Sequence, residues 1–248
     1  MNIEIDGDSL LGTRTNQQDS YIYSKNKSDI IAILCDGMGG MNGGEQASNL
    51  VVKMLKDNYR NKASDVSIPD FLESEIEILD DAVLSLKDCR GTRLNAGTTI
   101  VAVVIEQDKL YYMSVGDSRL FIQRDNQLVP INREHNYRLK LDALLEEGII
   151  SEADYKKEEH RADYLISYLG SGNVTVWDVS KNPITLLEGD RILICSDGVT
   201  KPLPEEIINQ LLEISPTAKH MALNIRASIE KLNLESQDNA TFICAMCK

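Results

Sequence analysis

Six short apolar runs rich in β-branched residues recur along the chain. They cover residues 30–35, 98–105, 109–115, 119–122, 191–195 and 241–246. This length and composition are typical of β-strands. In 100–105 every position is apolar, so both faces of that strand must be covered by other layers of the protein.

One connection between these runs bears on how the strands pair. Strands covered on both faces usually belong to parallel sheets. Here, however, only Gly116 and Asp117 separate the run that ends at Val115 from the run that starts at Ser118. A two-residue connection is typical of a β-hairpin and is too short for a parallel crossover. The sequence therefore predicts that these two runs pair side by side as antiparallel strands.

Helical patterns in the sequence predict the layers that cover these strands. A second helix is predicted over 69–86, with Pro69 near its first turn, and later helices begin near Pro204 and Thr217. The first helix has an amphipathic stripe formed by Ala47, Leu50, Val51, Met54 and Leu55. Helices that flank antiparallel strands predict an α+β fold, a four-layer α-β-β-α sandwich with two mainly antiparallel sheets inside.

No internal repeat, low-complexity tract or linker rich in proline and glycine divides the sequence, so 1–248 is interpreted as one domain. Residues 133–163 differ from the rest because they are highly charged. We expect this section to form short, mobile helices, a flap over one edge of the core.

The charge balance limits the classes of partner. The chain has 26 Lys and Arg residues against 39 Asp and Glu residues, which gives a formal net charge of −13. Nucleic acids and anionic membranes recruit clustered Lys and Arg, so neither is expected as a partner. A phosphorylated partner remains compatible with this charge if bound metal reverses the sign locally.

Cysteine usage indicates a reducing compartment. The five cysteines are odd in number and lack the spacing of a disulfide framework: Cys35, Cys89, Cys195, Cys244 and Cys247. The first ten residues contain no apolar run, so we expect no signal peptide and a cytoplasmic location. The last two cysteines have the spacing of a redox motif, but they are interpreted as thiols of a final strand because a thioredoxin-type pair opens a helix.

Four aspartates recur at the ends of predicted strands. Asp36, Asp117 and Asp197 follow apolar runs, and Asp238 precedes the last one. Taken singly, an aspartate beside a glycine after a strand is most often a turn residue. Taken together, the four carboxylates lie where neighbouring antiparallel strands would bring them to one rim of the sheets.

Such a cluster needs counter-charge, because neighbouring carboxylates raise one another's pKa. Oxygen ligands without a His or Cys set at zinc spacing favour a hard ion such as Mg²⁺ or Mn²⁺. Two such ions activate a water and clamp a displacement at phosphorus, so the suggested chemistry is phosphate-ester hydrolysis. Arg14, before a polar turn, is either a surface residue or a bidentate ligand for the phosphate.

Six segments, in this order, resemble motifs of the metal-dependent serine/threonine protein phosphatases, the PPM or type 2C family. The length of the chain is similar to that of a bacterial catalytic domain of this family without appended domains. They are Arg14 with Asn-Gln-Gln-Asp at 16–19, Cys-Asp-Gly-Met-Gly-Gly at 35–40, Gly-Thr-Thr at 97–99, Val-Gly-Asp-Ser-Arg at 115–119, Gly-Asp at 189–190 with Cys-Ser-Asp-Gly at 195–198, and Asp-Asn-Ala-Thr at 238–241. The resemblance implies hydrolysis of phosphoserine and phosphothreonine in proteins that a Ser/Thr kinase has phosphorylated.

The resemblance also implies a role for each metal ligand. Asp36 would bridge two Mn²⁺ or Mg²⁺ ions, and Asp197 and Asp238 would complete the shell of the first. Gly37 would offer its backbone carbonyl to the second ion, and Asp117 with Asp197 would hold a weaker third one. Water between the two ions would attack phosphorus directly, without a phosphoenzyme.

Arg14 would hold the substrate phosphate and, with Asp36, make up the catalytic set. Residues expected to support the site from around the ligands are Gln18, Asp19, His135 and Asn239. A monomer is expected.

Three departures from the family pattern leave alternatives open. Gln18 stands where many members have a glutamate, and Met38 stands where many eukaryotic members have a histidine proposed as the general acid. An arginine often found in the family is absent around 167–170. The Gln18 substitution leaves open a catalytically weak module that binds phosphopeptides or a partner. A further alternative is a small-molecule phosphate esterase that uses the same chemistry.

Overall fold

Thirteen strands form within residues 1–26, 29–40 and 43–248, the part of the chain that this computed structural model describes. In chain order they are β1 (Ile3–Leu10), β2 (Ser20–Lys25), β3 (Asp29–Cys35), β4 (Gly37–Gly39), β5 (Ala96–Thr98), β6 (Ile100–Glu106), β7 (Lys109–Val115), β8 (Arg119–Arg124), β9 (Gln127–Pro130), β10 (Asp178–Val179), β11 (Ile184–Thr185), β12 (Arg191–Cys195) and β13 (Ala240–Cys247).

Seven α-helices occur in the same described residues. They are α1 (Gly43–Arg60), α2 (Ile68–Leu84), α3 (Tyr137–Glu146), α4 (Glu152–Glu158), α5 (Asp197–Thr200), α6 (Glu205–Glu213) and α7 (Ala218–Leu232), and a 3₁₀ turn spans Glu159–Arg161. The side chain of Ser67 caps α2 by accepting from Asp70 N, and Thr217 caps α7 by accepting from His220 N. Both predicted helix starts at Pro204 and Thr217 are confirmed, since α6 and α7 begin at the next residue.

Two main sheets face each other. One has the strand order β1-β13-β12-β8-β9, and the other has the order β10-β7-β6-β3-β2, with β11 also paired to β7. A short third sheet joins β4 to β5. All of these pairings are antiparallel.

The strands alternate between two cores, which explains why they are apolar on successive residues. In β3, Ile31 and Ile33 pack with side chains of α1 and α2, whereas Ile30 and Leu34 pack between the two sheets. The other main sheet does the same, with its outer face packed against α6 and α7. The predicted four-layer α-β-β-α arrangement is confirmed.

The predicted hairpin at Gly116 and Asp117 is wrong. Strand β7 lies in one sheet and pairs with β6, β10 and β11, whereas β8 lies in the facing sheet between β12 and β9. The three Cα steps from Val115 to Ser118 span up to about 11 Å, enough for the roughly 10 Å between packed sheets. A two-residue link can therefore join two layers as well as two neighbouring strands.

Two further features concern the peripheral segments. Residues 133–163 form the predicted short helices, and Leu141 and Ala162 are buried apolar residues within them. Cys244 and Cys247 are buried within β13, as the strand interpretation predicts. None of the described helices combines the length and apolar character needed to cross a membrane.

Candidate active site

Four aspartates from both main sheets line one cavity of about 250 Å³. Asp36 and Asp117 follow β3 and β7 of one sheet. Asp197 follows β12 and begins α5, and Asp238 lies just before β13, in the facing sheet. The four aspartates therefore meet at one rim, as predicted. This rim lies between the two facing sheets and is not the edge of a single sheet.

The other predicted site residues also lie in or beside this cavity. Its lining includes Arg14, Gln18, Gly37 and Asn239, together with Met38, Gly39, Thr99 and Leu165. Asp19 and His135 do not line the cavity, and they contact its walls from behind. Thr99 and Leu165 were not predicted as site residues.

Backbone hydrogen bonds fix Asp36 in place. Its N–H donates to the hydroxyl of Thr99 at 3.0 Å, and its carbonyl accepts from the Thr99 N–H at 2.9 Å and from the Thr98 hydroxyl at 2.9 Å. Gly37 follows in a space that admits no side chain, since a Cβ there would lie 2.2 Å from the carbonyl oxygen of Gly44. The backbone at 36–37 is therefore held from both sides, and its close packing requires glycine.

The segment around Asp238 is tied to the segment that carries Arg14. Asn239 accepts from the backbone N–H of Gln18 at 2.8 Å and donates to the carbonyl of Leu11 at 2.9 Å. The side chain of Gln18 donates to the carbonyl of Gly39 at 3.2 Å. Asn239 thus ties the residue before β13 to the segment between β1 and β2, and Gln18 ties that segment to β4. These contacts could not be predicted from the local sequence.

Asp19 lies outside the cavity lining, directly before β2, and contacts Ser196 directly after β12. It is buried, and its carboxylate accepts from the hydroxyl of Ser196 at 2.8 Å. Burial raises the pKa of Asp19 to about 6, although hydrogen bonds from Thr241 and Ser196 oppose this rise.

His135 holds the turn that presents Asp117. Its Nδ1 accepts from the N–H of Gly116 at 3.1 Å, and its own N–H donates to the Gly116 carbonyl at 2.9 Å. Because Nδ1 accepts, the ring carries its proton on Nε2, which lies 3.6 Å from a carboxylate oxygen of Asp178. The predicted support from His135 is therefore a contact with the backbone beside Asp117.

Burial and neighbouring negative charges disfavour the ionised forms of Asp36 and Asp117. Burial, followed by the negative charges of Asp19 and Asp197, raises the pKa of Asp36 well above its ordinary value. Burial and the charge of Asp197 raise the pKa of Asp117 to about 7, against a smaller opposing effect of Lys201. Full ionisation of this cluster requires positive charge in the cavity.

Two side-chain cations already contact the cluster. Arg14 donates to Oδ2 of Asp238 at 2.7 Å, and Lys201 forms an ion pair with Asp197. Lys201 was not predicted as a site residue. The i,i+4 spacing from Asp197 was the available signal, because residues four apart in a helical turn lie on the same face.

The donor set fits hard divalent ions. Carboxylate oxygens and the Gly37 carbonyl are the ligand types that Mg²⁺ and Mn²⁺ prefer. Among the described residues, no group of three His, Cys, Asp or Glu side chains is already arranged to hold a metal ion. Asp238 and Asp197 are instead paired with Arg14 and Lys201 in this structure.

Comparison with known proteins gives concordant matches. The family model for protein phosphatase 2C matches residues 6–231. The serine/threonine phosphatase stp of Listeria monocytogenes is 26% identical over 211 residues, which cover 84% of this chain and 81% of that protein. The solved serine/threonine phosphatase of S. agalactiae is 25% identical, with a TM-score of 0.83 over 100% of both chains. The catalytic domain of the phosphatase PstP, crystallised with two manganese ions, is 25% identical, with a TM-score of 0.77 over 98% of this chain and 97% of that one.

Proposed function

Because the chain belongs to the protein phosphatase 2C family of metal-dependent serine/threonine protein phosphatases, we propose that the cavity lined by the four aspartates is its active site. The observation that carries this proposal is the convergence of Asp36, Asp117, Asp197 and Asp238 on one cavity that Arg14 also lines. Carboxylates hold divalent ions, and a guanidinium binds phosphate, so the cavity combines both requirements of phosphate-ester hydrolysis.

Two Mn²⁺ or Mg²⁺ ions, with a weaker third, are proposed as the resident metals. Their proposed ligands are Asp36, Gly37, Asp117, Asp197 and Asp238. When bound, these ions supply an activated water and neutralise charge that develops on the phosphoryl oxygens. The protein's own contribution is a fixed frame: the backbone bonds of Asp36 to Thr98 and Thr99 hold the central carboxylate before any ligand enters.

Arg14 is the proposed phosphate-binding residue. Its side chain is 59% exposed at the mouth of the cavity, and its planar guanidinium can pair with two phosphoryl oxygens at once. Hydrogen bonds from Thr13 to Gln237 fix the backbone beside it, at 2.9 Å for the N–H and 3.1 Å for the hydroxyl. Arg14 is therefore proposed to orient the substrate phosphate, and with Asp36 it makes up the proposed catalytic set.

Phosphoproteins made by a Ser/Thr kinase are the proposed substrates, and the enzyme is proposed to act as a cytoplasmic monomer that binds no nucleic acid. The net charge of −13 supports the exclusion of nucleic acid. The neutral amide of Gln18 beside the cavity favours a second candidate, a module that binds phosphopeptides with little turnover.

A paired assay of turnover and metal binding tests these candidates. Purified protein should hydrolyse p-nitrophenyl phosphate and a phosphothreonine peptide with Mn²⁺, and both activities should stop with EDTA. The Asp36→Asn variant is the matched control, because it removes one charge and keeps the side chain's size. Tight Mn²⁺ binding in calorimetry without turnover would favour the binding module, and hydrolysis of the small ester alone would favour a small-molecule esterase.

A further inference from the structure

A second cavity of about 280 Å³ adjoins the candidate active site. The two cavities share Arg14 and Asp238 in their lining, and the second also includes Lys201, Pro202 and Leu234. Anything bound to Arg14 in the first cavity therefore lies beside the entrance of the second.

The size and walls of this cavity suit one amino-acid side chain. Ligand pockets for drug-sized molecules measure about 300–1,000 Å³, so this cavity lies just below that range. Pro202 and the 42% exposed Leu234 give it apolar walls. Gln237 is held by a hydrogen bond from its side chain to the carbonyl of Gly198 at 2.9 Å, so the wall opposite is fixed.

The charge of this second cavity depends on whether Asp197 and Asp238 pair with side-chain cations or bind metal ions. Arg14 and Lys201 are neutralised by Asp238 and Asp197. If those carboxylates hold divalent ions, as the proposed function requires, they no longer neutralise the two cations. Arg14 then faces the phosphate, and Lys201, whose side chain is 60% exposed, is the cation left for a neighbouring group.

We propose that the second cavity is a subsite for an acidic side chain next to the phosphorylated residue of the substrate, and that Lys201 determines this preference. The inference rests on the proposed function, since it assumes that a phosphorylated residue occupies the first cavity. Beyond phosphatase activity, it predicts that Lys201 makes the enzyme prefer substrates with an acidic residue beside the phosphorylated one.

Pairs of phosphothreonine peptides test the preference. Within each pair the peptides differ by Glu or Lys at one position, either directly before or directly after the phosphothreonine. With saturating Mn²⁺, the expected ratio of kcat/KM for Glu over Lys is about fivefold at one of these positions, as for one partly exposed ion pair. The ratio should fall to near one in Lys201→Met and invert in Lys201→Glu. Because both peptides are measured on the same enzyme, effects of the substitution on metal affinity cancel.

Lys219→Glu is the matched control, since Lys219 is an exposed lysine in the first turn of α7 and lines neither cavity. It should keep the preference of the unmodified enzyme. Calorimetry with non-hydrolysable phosphonate versions of the same peptides should give the same order of affinities as the kinetics.

Different results would overturn the subsite and the proposed function. Equal hydrolysis of all peptides, or a Glu preference that Lys201→Glu leaves unchanged, overturns the subsite and leaves the phosphatase activity intact. No hydrolysis of any peptide or of p-nitrophenyl phosphate with Mn²⁺ overturns the proposed function, and the subsite with it.

Discussion

The guanidinium of Arg14 donates a hydrogen bond of 2.7 Å to the carboxylate of Asp238. The residue proposed to hold the phosphate therefore contacts a residue proposed to hold a metal. Because one guanidinium fork cannot bind the carboxylate and a phosphate in the same geometry, metal binding at Asp238 favours release of Arg14 for the substrate. The proposed roles of these two residues therefore predict that phosphate binding and metal binding are coupled through this ion pair.

Replacement of Arg14 tests its role in substrate binding. We expect Arg14→Ala to raise KM by about tenfold to a hundredfold, the range for a lost hydrogen bond to a charged group, with a smaller change in kcat. Arg14→Lys keeps the charge without the planar fork and should give an intermediate KM. Steady-state kinetics with a phosphopeptide decides the point. A large fall in kcat with unchanged KM would assign Arg14 to stabilisation of the transition state instead.

Removal of the central carboxylate should separate activity from stability. Asp36→Asn should abolish turnover and weaken Mn²⁺ binding in calorimetry, because its carboxylate is the proposed bridge between ions. The same variant should melt several degrees higher than the unmodified protein in EDTA, since burial, followed by the charges of Asp19 and Asp197, disfavours the ionised form of Asp36, and asparagine has no ionised form. Asp65→Asn, at an exposed loop position, should leave both quantities unchanged. A lower melting temperature in EDTA would contradict the predicted cost of burying an ionisable group at position 36.

The stability of the metal-free protein should depend on pH through Asp117. Burial and the charge of Asp197 raise its folded pKa to about 7, above the ordinary value of 3.8, so the folded state binds this proton more tightly than the unfolded state. The resulting stabilisation is present below about pH 4 and is lost as the pH rises through about 7. We expect the free energy of unfolding in EDTA, measured with urea, to fall across this range by an amount on the order of a few kcal/mol.

Asp117→Asn isolates this contribution. Because asparagine does not titrate, the difference in unfolding free energy between variant and unmodified protein should change across the same pH range and level off above about pH 8. A constant difference at all pH values would show that Asp117 does not titrate in the folded protein with a raised pKa.

The sequence predicted the layers because alternate residues of each strand pack into different cores. Ile31 and Ile33 face helices while Ile30 and Leu34 face the other sheet, and this two-sided burial is visible as an unbroken apolar run. The link at Gly116 was misinterpreted because two residues join paired strands and facing layers equally well. The local sequence does not show which strands β7 and β8 pair with, and only those partners distinguish a hairpin from a link between two sheets.

The aspartates of the cavity could be predicted for a similar reason. Each lies near a strand end, so the sequence predicted that the four carboxylates meet at one rim. It did not predict that this rim lies between two facing sheets. Lys201 and the contact of His135 with Gly116 could not be predicted in this way. The contact of Lys201 with Asp197 depends on the short helix α5, and the contact of His135 depends on a loop 19 residues after Gly116.

The packing of Gly198 against Asn239 gives a test of how the site is assembled. A Cβ at Gly198 would lie 1.9 Å from the carbonyl oxygen of Asn239, so Gly198→Ala must separate α5 from the start of β13. These segments carry Asp197 and Asp238, and we expect the variant to lose about 1–3 kcal/mol of stability, the range typical of overpacked sites, and most of its Mn²⁺ affinity. Gly40→Ala is the matched control, since a Cβ there meets no atom of the described residues within 4 Å. Urea unfolding and calorimetry measure the two effects, and a Gly198→Ala protein that binds Mn²⁺ normally would show that the site does not depend on this contact.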